Sequence, residues 1–392
     1  MATRATERPR RGGAPLWLNG AYFWYFASIG CFGPYIALYY RELQLTGPQI
    51  GVLAAIPPLG VAALAPLWGS LADTFAAHRL ALRLALGLGA LLALLMASAG
   101  SFAALAPLLA LLAACLAVIP ALLDGYAVMV AERSGGSYGQ IRVWGTVGFI
   151  VGAALVGWLL GPTVTSGFLI AYAVALLLAL LATLGLPPLQ PRASRRPGPG
   201  AAAILAEPAV RGLLVCVFLV VINATIMASY LGLYLTALGG DVALVAAASI
   251  LGALSEVPVM ILGGRLLRRF TSQRVLVAAV AMYLLRLLLY SIPPVHPWAV
   301  AVQLLHGASF GLYLMASVTL MHELVGQARV ATGQGLLNAV AQGGAAVTGA
   351  LIGGLLLDRL GPVGLFRVAA AGMAVALFAC ARLLAPGRPW RR

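Results

Sequence analysis

Apolar stretches of about twenty residues follow one another along almost the whole chain, each ended by a short polar or Gly/Pro-bearing break. About twenty apolar residues is the length a helix needs to cross the hydrocarbon of a bilayer. Helices are required there, because lipid offers no partner for backbone N–H and C=O groups. The pattern predicts twelve spans, at residues 16–40, 49–72, 80–100, 104–131, 140–161, 166–186, 211–237, 243–267, 273–292, 298–322, 330–357 and 362–385.

One break differs from the others. The stretch "LPPLQPRASRRPGPGAAA" is rich in Pro, Gly and Arg and cannot span. It predicts an N-terminal six-helix bundle over 1–186, a linker over 187–210 and a C-terminal six-helix bundle over 211–392. The two halves read as copies. "YIALYYREL" closes span one and "YLGLYLTAL" closes span seven, with Tyr35 and Tyr230 offset by 195 residues. Gly139-Gln140 opens span five and Gly333-Gln334 opens span eleven, offset by 194. Gly69 after span two matches Gly263 or Gly264 after span eight. A repeat of six spans is the plan of many secondary transporters, with substrate held between the halves near midplane.

Composition sharpens the class. The chain is 62% hydrophobic and 9% charged, against about 25% charged in a soluble globular protein. The net charge is +15, and all 25 basic residues are arginine. In a soluble chain that balance would suggest nucleic acid. Here the arginines sit in short loops, so they read as a topology signal. The N-terminal tail, the 73–83 loop, the linker, the 265–274 loop and the C-terminal end are arginine-rich. The opposite loops hold little beyond Arg41, Arg359 and Arg367. Both termini are expected in the cytoplasm, in a multi-pass protein of the plasma membrane with no nucleic-acid partner. The tail lacks the apolar core and cleavage site of a signal peptide, which leaves targeting to the first span. Cys31, Cys115, Cys216 and Cys380 all fall in apolar segments and form no metal or disulfide spacing. No cofactor is expected.

Against this apolar background, the charges within spans stand out. Asp124, Arg142, Glu256, Arg286 and His306 all lie inside predicted helices. Intramembrane ionisable groups are costly, and the default expectation is a function and a partner. Glu256 lies near the middle of span eight, beside Pro258, which is expected to bend the helix. Arg286 and His306 fall at middle to outer depth on spans nine and ten, where all three could meet. A buried Glu256–Arg286 ion pair that only fixes packing is the competing reading. His306 alone could simply bond a neighbouring carbonyl. On span ten, Gln303, His306, Phe310, Tyr313 and Ser317 share a helical face. Tyr283, Arg286 and Tyr290 do so on span nine, and Gln334, Asn338 and Gln342 on span eleven. These stripes predict a polar cavity with aromatic walls.

In the first half, Asp124 on span four and Arg142 on span five lie at similar depth, 18 residues apart. Arg142 by position alone is either an interfacial anchor with a snorkelling stem or a binding residue. Asp124 has too short a stem to snorkel, and Arg142 is its nearest candidate partner.

The motifs around these residues resemble the major facilitator superfamily over essentially the full chain. "GSLADTFAAHR" resembles the superfamily's loop motif, with Gly69, Asp73 and Arg79 kept and Thr74 and Ala76 departing from it. "YGQIRVWGTVGF", "LSEVPVMILGGRLL", "YLLRLLLYS" and "QLLHGASFGLY" resemble spans five, eight, nine and ten of the branch holding lactose-permease-like, nucleoside and phenylpropionate proton symporters. That resemblance implies that Asp124 and Arg142 hold substrate, that Phe149 stacks on a sugar-like ring, and that Arg286 and His306 serve proton coupling. The proton-carrying carboxylate of the sugar permeases falls at Ser309 here, which leaves Glu256 as the proton site. The resemblance also implies a monomer.

The expected activity is proton-coupled symport of a small polar, ring-containing solute by alternating access. Glu256, Arg286 and His306 would couple the proton. Asp124 and Arg142 would grip a polar group, with Phe149, Trp144, Tyr22 or Tyr230 offering ring faces and Gln303 and Asn338 further polar contacts. Paired charges would favour a neutral nucleoside or sugar; an aromatic acid follows if Arg142 or Arg286 is free to pair with it. An antiporter exporting drugs or metabolites on the same fold is the alternative. A polytopic membrane enzyme or sensor is more remote, because no loop is long enough for a catalytic cluster or signalling domain.

Overall fold

The computed structural model describes residues 14–75, 77–134, 137–159, 164–188, 200–292 and 296–384. These residues are helical throughout, with no strand among them. In chain order the helices are α1 (Ala14–Phe32), α2 (Ile36–Glu42), α3 (Gly47–Thr74), α4 (His78–Ala97), α5 (Phe102–Leu116), α6 (Ile119–Ser134), α7 (Tyr138–Leu159) and α8 (Gly167–Thr183). After a short α9 (Ala201–Leu205) come α10 (Pro208–Ala237), α11 (Val242–Arg269), α12 (Ser272–Ser291), α13 (His296–Ala301), α14 (Leu312–Val325), α15 (Val330–Asn338) and α16 (Ala346–Leu383).

Among the described residues, nine helical stretches are long and apolar enough to cross a membrane. The longest, Gln327–Leu383, is divided at Gly361, whose φ of 65° leaves helical space just before Pro362. Glycine tolerates that dihedral, and proline cannot donate a helical hydrogen bond, so the chain turns there. Gly167–Thr183 is a shorter apolar helix. The ends of the predicted spans fall within a few residues of the helices wherever both are described. The linker region 189–199 and both chain ends lie outside the described residues.

Helices in lipid associate through close backbone approach at small residues. A Cβ added to Gly148 would stand 2.0 Å from Phe23 O, and one on Gly152 would stand 2.1 Å from Ala27 O. Those two positions let α1 and α7 touch backbone to backbone. Gly349 does the same between α16 and α10, at 2.5 Å from Ile222 O. The echoed tyrosines take matching roles in these two helix pairs. Tyr35 donates to Ala153 O at 2.5 Å, and Tyr230 donates to Ala350 O at 2.7 Å. Tyr230 is therefore a fully buried packing residue, not a ring face in a cavity.

The parts of the chain before and after the linker meet closely at the α2–α3 turn. A Cβ on Gly51 would lie 2.9 Å from Ala350 O, and one on Gly354 2.5 Å from Gly47 O. Gly47 N donates to Asp358 Oδ2 at 2.6 Å. Arg41 reaches the same carboxylate at 3.3 Å, with both side chains well exposed.

Candidate functional site

A cavity with a volume of about 500 Å³ is walled by α1, α7, α10, α11, α12 and the segment 303–310. Arg142, Phe149, Glu256, Arg286, Gln303 and His306 all line it. With Phe310, seven of the residues singled out from the sequence are thus brought together, from both parts of the chain.

On one wall, α11 presents Ser249, Gly252, Ala253 and Glu256. Their spacing of three, four and seven residues is one helical face. Glu256 Oε1 and His306 Nε2 share a hydrogen bond of 2.9 Å, with side chains 19% and 27% exposed. Phe310 stacks on the His306 ring at 5.3 Å. The helix around His306 is irregular: 302–305 is a 3₁₀ turn and 307–311 a π turn. Gly307 follows His306, and a Cβ there would stand 2.0 Å from Ser255 O. Its N–H donates to Ser255 Oγ at 2.8 Å. The bare glycine lets this segment sit directly on α11, which is what brings His306 to Glu256. α11 runs helically through Pro258. The irregular backbone belongs to the opposing segment.

Arg286 sets aside the competing reading of a buried ion pair. It does not pair with Glu256. Its Nη1 donates to Ser309 Oγ at 2.8 Å and its Nη2 to Gln303 Oε1 at 2.7 Å, while Nε is buried with no partner. The side chain is 1% exposed. A guanidinium with only neutral partners is thus held at the cavity wall. Tyr283 and Tyr290 do share its helical face and are buried with it. Tyr290 is spent on packing, donating to Ala299 O at 3.1 Å.

Across the cavity, Arg142 lies over the Phe26 ring, 4.2 Å from its centroid. Gly145 makes room for this, because a Cβ there would lie 2.8 Å from Arg142 Nη1. Arg142 makes no ion pair among the described residues. Asp124 instead accepts from Tyr22 at 2.6 Å and from Tyr138 at 2.9 Å. The two charges anticipated as partners form no direct ion pair, but Tyr22 and Tyr138, which bond Asp124, also stand within reach of the Arg142 charge. Asp124 and Tyr22 do not line the cavity; Tyr22 is buried and Asp124 exposed. Trp144 and Asn338 are exposed and also lie outside the lining. Phe26, Thr146 and Ser249 line the cavity and were not singled out from the sequence. Phe26 sits one turn after Tyr22, and Ser249 two turns before Glu256, so helical spacing from those residues points to both.

Of the loop motif, Arg79 is exposed in the first turn of α4. Gly69 and Asp73 fall in the last turns of α3, and their side chains lie outside the described residues. No group of three metal-ligating side chains occurs among the described residues.

The model of the MFS_1-like family matches residues 16–368. This chain belongs to that family. It is a membrane transporter of the major facilitator type and not an enzyme. The transporter is 33% identical to a maltose permease of Geobacillus stearothermophilus, over 88% of this chain and 89% of that one. It is 30% identical to a probable 3-phenylpropionic acid transporter of Escherichia coli, over 92% and 96% of the two chains. Among solved structures, the nucleoside transporter NupG matches with a TM-score of 0.84 at 17% identity, covering 95% of this chain and 99% of that one. A bacterial homologue of the lysosomal transporter Spinster, solved inward-facing and unoccupied, matches at 0.65 and 17% identity, over 96% and 95%. At that identity these two likenesses speak for the fold.

Proposed function

We propose that this transporter carries a small ring-containing solute together with a proton, as a symporter working by alternating access. The observation that carries the reading is the Glu256–His306 pair in the cavity wall. A carboxylate and an imidazole 2.9 Å apart can hold one proton between them, and solvent reaches both. Relatives named for maltose, 3-phenylpropionic acid and nucleosides supply the candidate solute classes. Arg142 and Phe149 serve as the polar grip and the ring face. Asp124 acts one step removed, by holding Tyr22 and Tyr138 beside the Arg142 end of α7.

The fold reading that goes with this is twelve spans in two six-helix halves, 1–186 and 211–392, joined by the 187–210 linker. The turn at Gly361 divides the longest helical stretch into two spans, and α1 with α2 and the short α8 supply two more. The matching tyrosine bonds at Tyr35 and Tyr230 support the repeat. With both termini cytoplasmic, the seal at the α2–α3 turn faces outward, and the cavity belongs to an inward-facing state of a monomer.

The test is uptake into proteoliposomes under an imposed pH gradient, with nucleosides, sugars and aromatic acids as solutes. Glu256→Gln is expected to abolish proton-driven accumulation while exchange of solute persists. Full accumulation in that variant would remove Glu256 from the coupling step.

A further inference from the structure

A groove of about 370 Å³ runs along the last third of α11, and none of its lining residues lines the central cavity. Pro258, Leu262, Arg265, Leu266 and Arg269 of α11 line it, with Leu312 at the start of α14 as the facing wall. Those five positions step along one helical stripe. The stripe is apolar at one end and cationic at the other. Arg265 and Arg269 lie one turn apart, both exposed, and neither has an ion pair among the described residues. Arg269 has the Phe270 ring as its neighbour, 5.7 Å from the guanidinium. Arg268 and Arg274 add positive charge at this end of α11 and α12. On α14, Glu323 is engaged by Ser272 at 2.6 Å and His322 by Gln327 at 2.8 Å.

An arginine that only marks topology needs to reach water and nothing more. Arg268, which is exposed and outside the groove lining, fits that description. Arg265 and Arg269 instead stand at the head of an apolar groove. From Pro258 to Arg269 the helix rises about 16 Å. One leaflet of a bilayer holds about 15 Å of hydrocarbon, half of the roughly 30 Å core. The stem of Arg265 can carry its charge outward to the level of Arg269. The groove therefore has the length and the polarity of one lipid molecule in a leaflet. Each planar guanidinium fork matches the oxygens of a phosphate. A zwitterionic headgroup would bring its own cation among these arginines, whereas an anionic headgroup would not.

We propose that this groove is a binding site for a phospholipid with a net anionic headgroup, its phosphate held by Arg265 and Arg269 and one acyl chain lying along Leu262 and Pro258 against Leu312. The site is separate from the transport pathway and does not depend on the symport reading. Its two walls belong to α11 and to the segment that continues from His306 into α14. A lipid seated there clamps together the two elements that carry Glu256 and His306. Because it binds the folded chain alone, it also raises the melting temperature.

The experiment uses the purified full chain in detergent, titrated with phosphatidylglycerol, phosphatidylcholine or glycerol 3-phosphate, with bound molecules counted by native mass spectrometry. One phosphatidylglycerol is expected to bind roughly tenfold or more tightly than phosphatidylcholine, and to raise the melting temperature further. Arg265→Gln and Arg269→Gln should each lose most of that preference, and Arg268→Gln should keep it. Leu262→Trp, which fills the groove and leaves both arginines in place, should weaken phosphatidylglycerol binding as well. Equal binding of the two lipids by the unaltered protein overturns the proposal. So does an equal loss in all three arginine variants, which is the mark of general surface charge, or full binding by Leu262→Trp. Displacement of the lipid by equimolar glycerol 3-phosphate overturns it in favour of a soluble anion. Should an arginine variant fail to fold, the lipid preference of the unaltered protein and the Leu262→Trp result still decide.

Discussion

Asp358 caps the first turn of α3 from across the molecule, its Oδ2 accepting the N–H of Gly47 at 2.6 Å. The bond joins the last part of the chain to the first at the α2–α3 seal. Helix N-termini carry unpaired N–H groups and a partial positive charge, so a carboxylate there is favoured. Arg41 adds a second contact at 3.3 Å, but both partners are more than a third exposed, so this pair adds little.

Asp358→Ala is expected to weaken the seal by about 1 kcal/mol, a roughly fivefold shift toward the state open on that side. Arg41→Ala should move it less. Ser229 lines a second, smaller cavity near this end, with α1, α2 and α3. A Ser229→Cys reporter, with Cys31, Cys115, Cys216 and Cys380 replaced, should then react faster with an impermeant maleimide. An unchanged labelling rate would show that the glycine contacts alone hold the seal.

Gly307→Ala should part α11 from the segment carrying His306. Its new Cβ would meet Ser255 O at 2.0 Å, and a backbone atom cannot rotate aside. A loss of about 1–3 kcal/mol in stability is expected, from overpacking. Proton-driven accumulation should fall further than solute binding does. Gly335→Ala, where a Cβ meets nothing within 4 Å, is the control and should be neutral or slightly stabilising. Equal melting temperatures for the two variants would contradict the packing argument.

Ser309→Asp places a carboxylate beside Arg286, which now bonds the serine hydroxyl at 2.8 Å. The new ion pair compensates the Arg286 charge, whose hydrogen-bond partners Ser309 and Gln303 are neutral. Affinity for an aryl carboxylate is expected to drop about tenfold, while affinity for the matching amide changes little. Isothermal titration of both ligands reads the difference. Undiminished carboxylate affinity would mean that the Arg286 charge does not reach the solute.

The helices were largely legible in the sequence, because lipid imposes a length and forbids unpaired backbone. Glu256, Arg286 and His306 were legible for the same reason, as charges in a solvent that resists them. Their pairing was not. In helices apolar all round, no polar face marks which way a side chain turns. Depth alone lets Glu256, Arg286 and His306 all meet; the structure pairs Glu256 with His306 and gives Arg286 to Ser309 and Gln303. The stripe from Gln303 to Ser317 assumed one unbroken α helix. The π turn at 307–311 alters the helical register, and Tyr313 and Ser317 are buried outside the cavity lining. Tyr230 shows the opposite limit: its echo of Tyr35 was visible, but a tyrosine that packs and one that binds look alike in sequence.

The π turn after His306 also bears on how this site can move. It holds more residues per turn than the α helix that follows it. Such a turn stores slack. If it tightened to α geometry, everything on one side would rotate by about 100° per residue taken up, without any bend in the axis. His306 could swing away from Glu256 while α14 stays seated against its neighbours. The proton pair would then be broken by a slip in helical register, a movement that requires no hinge.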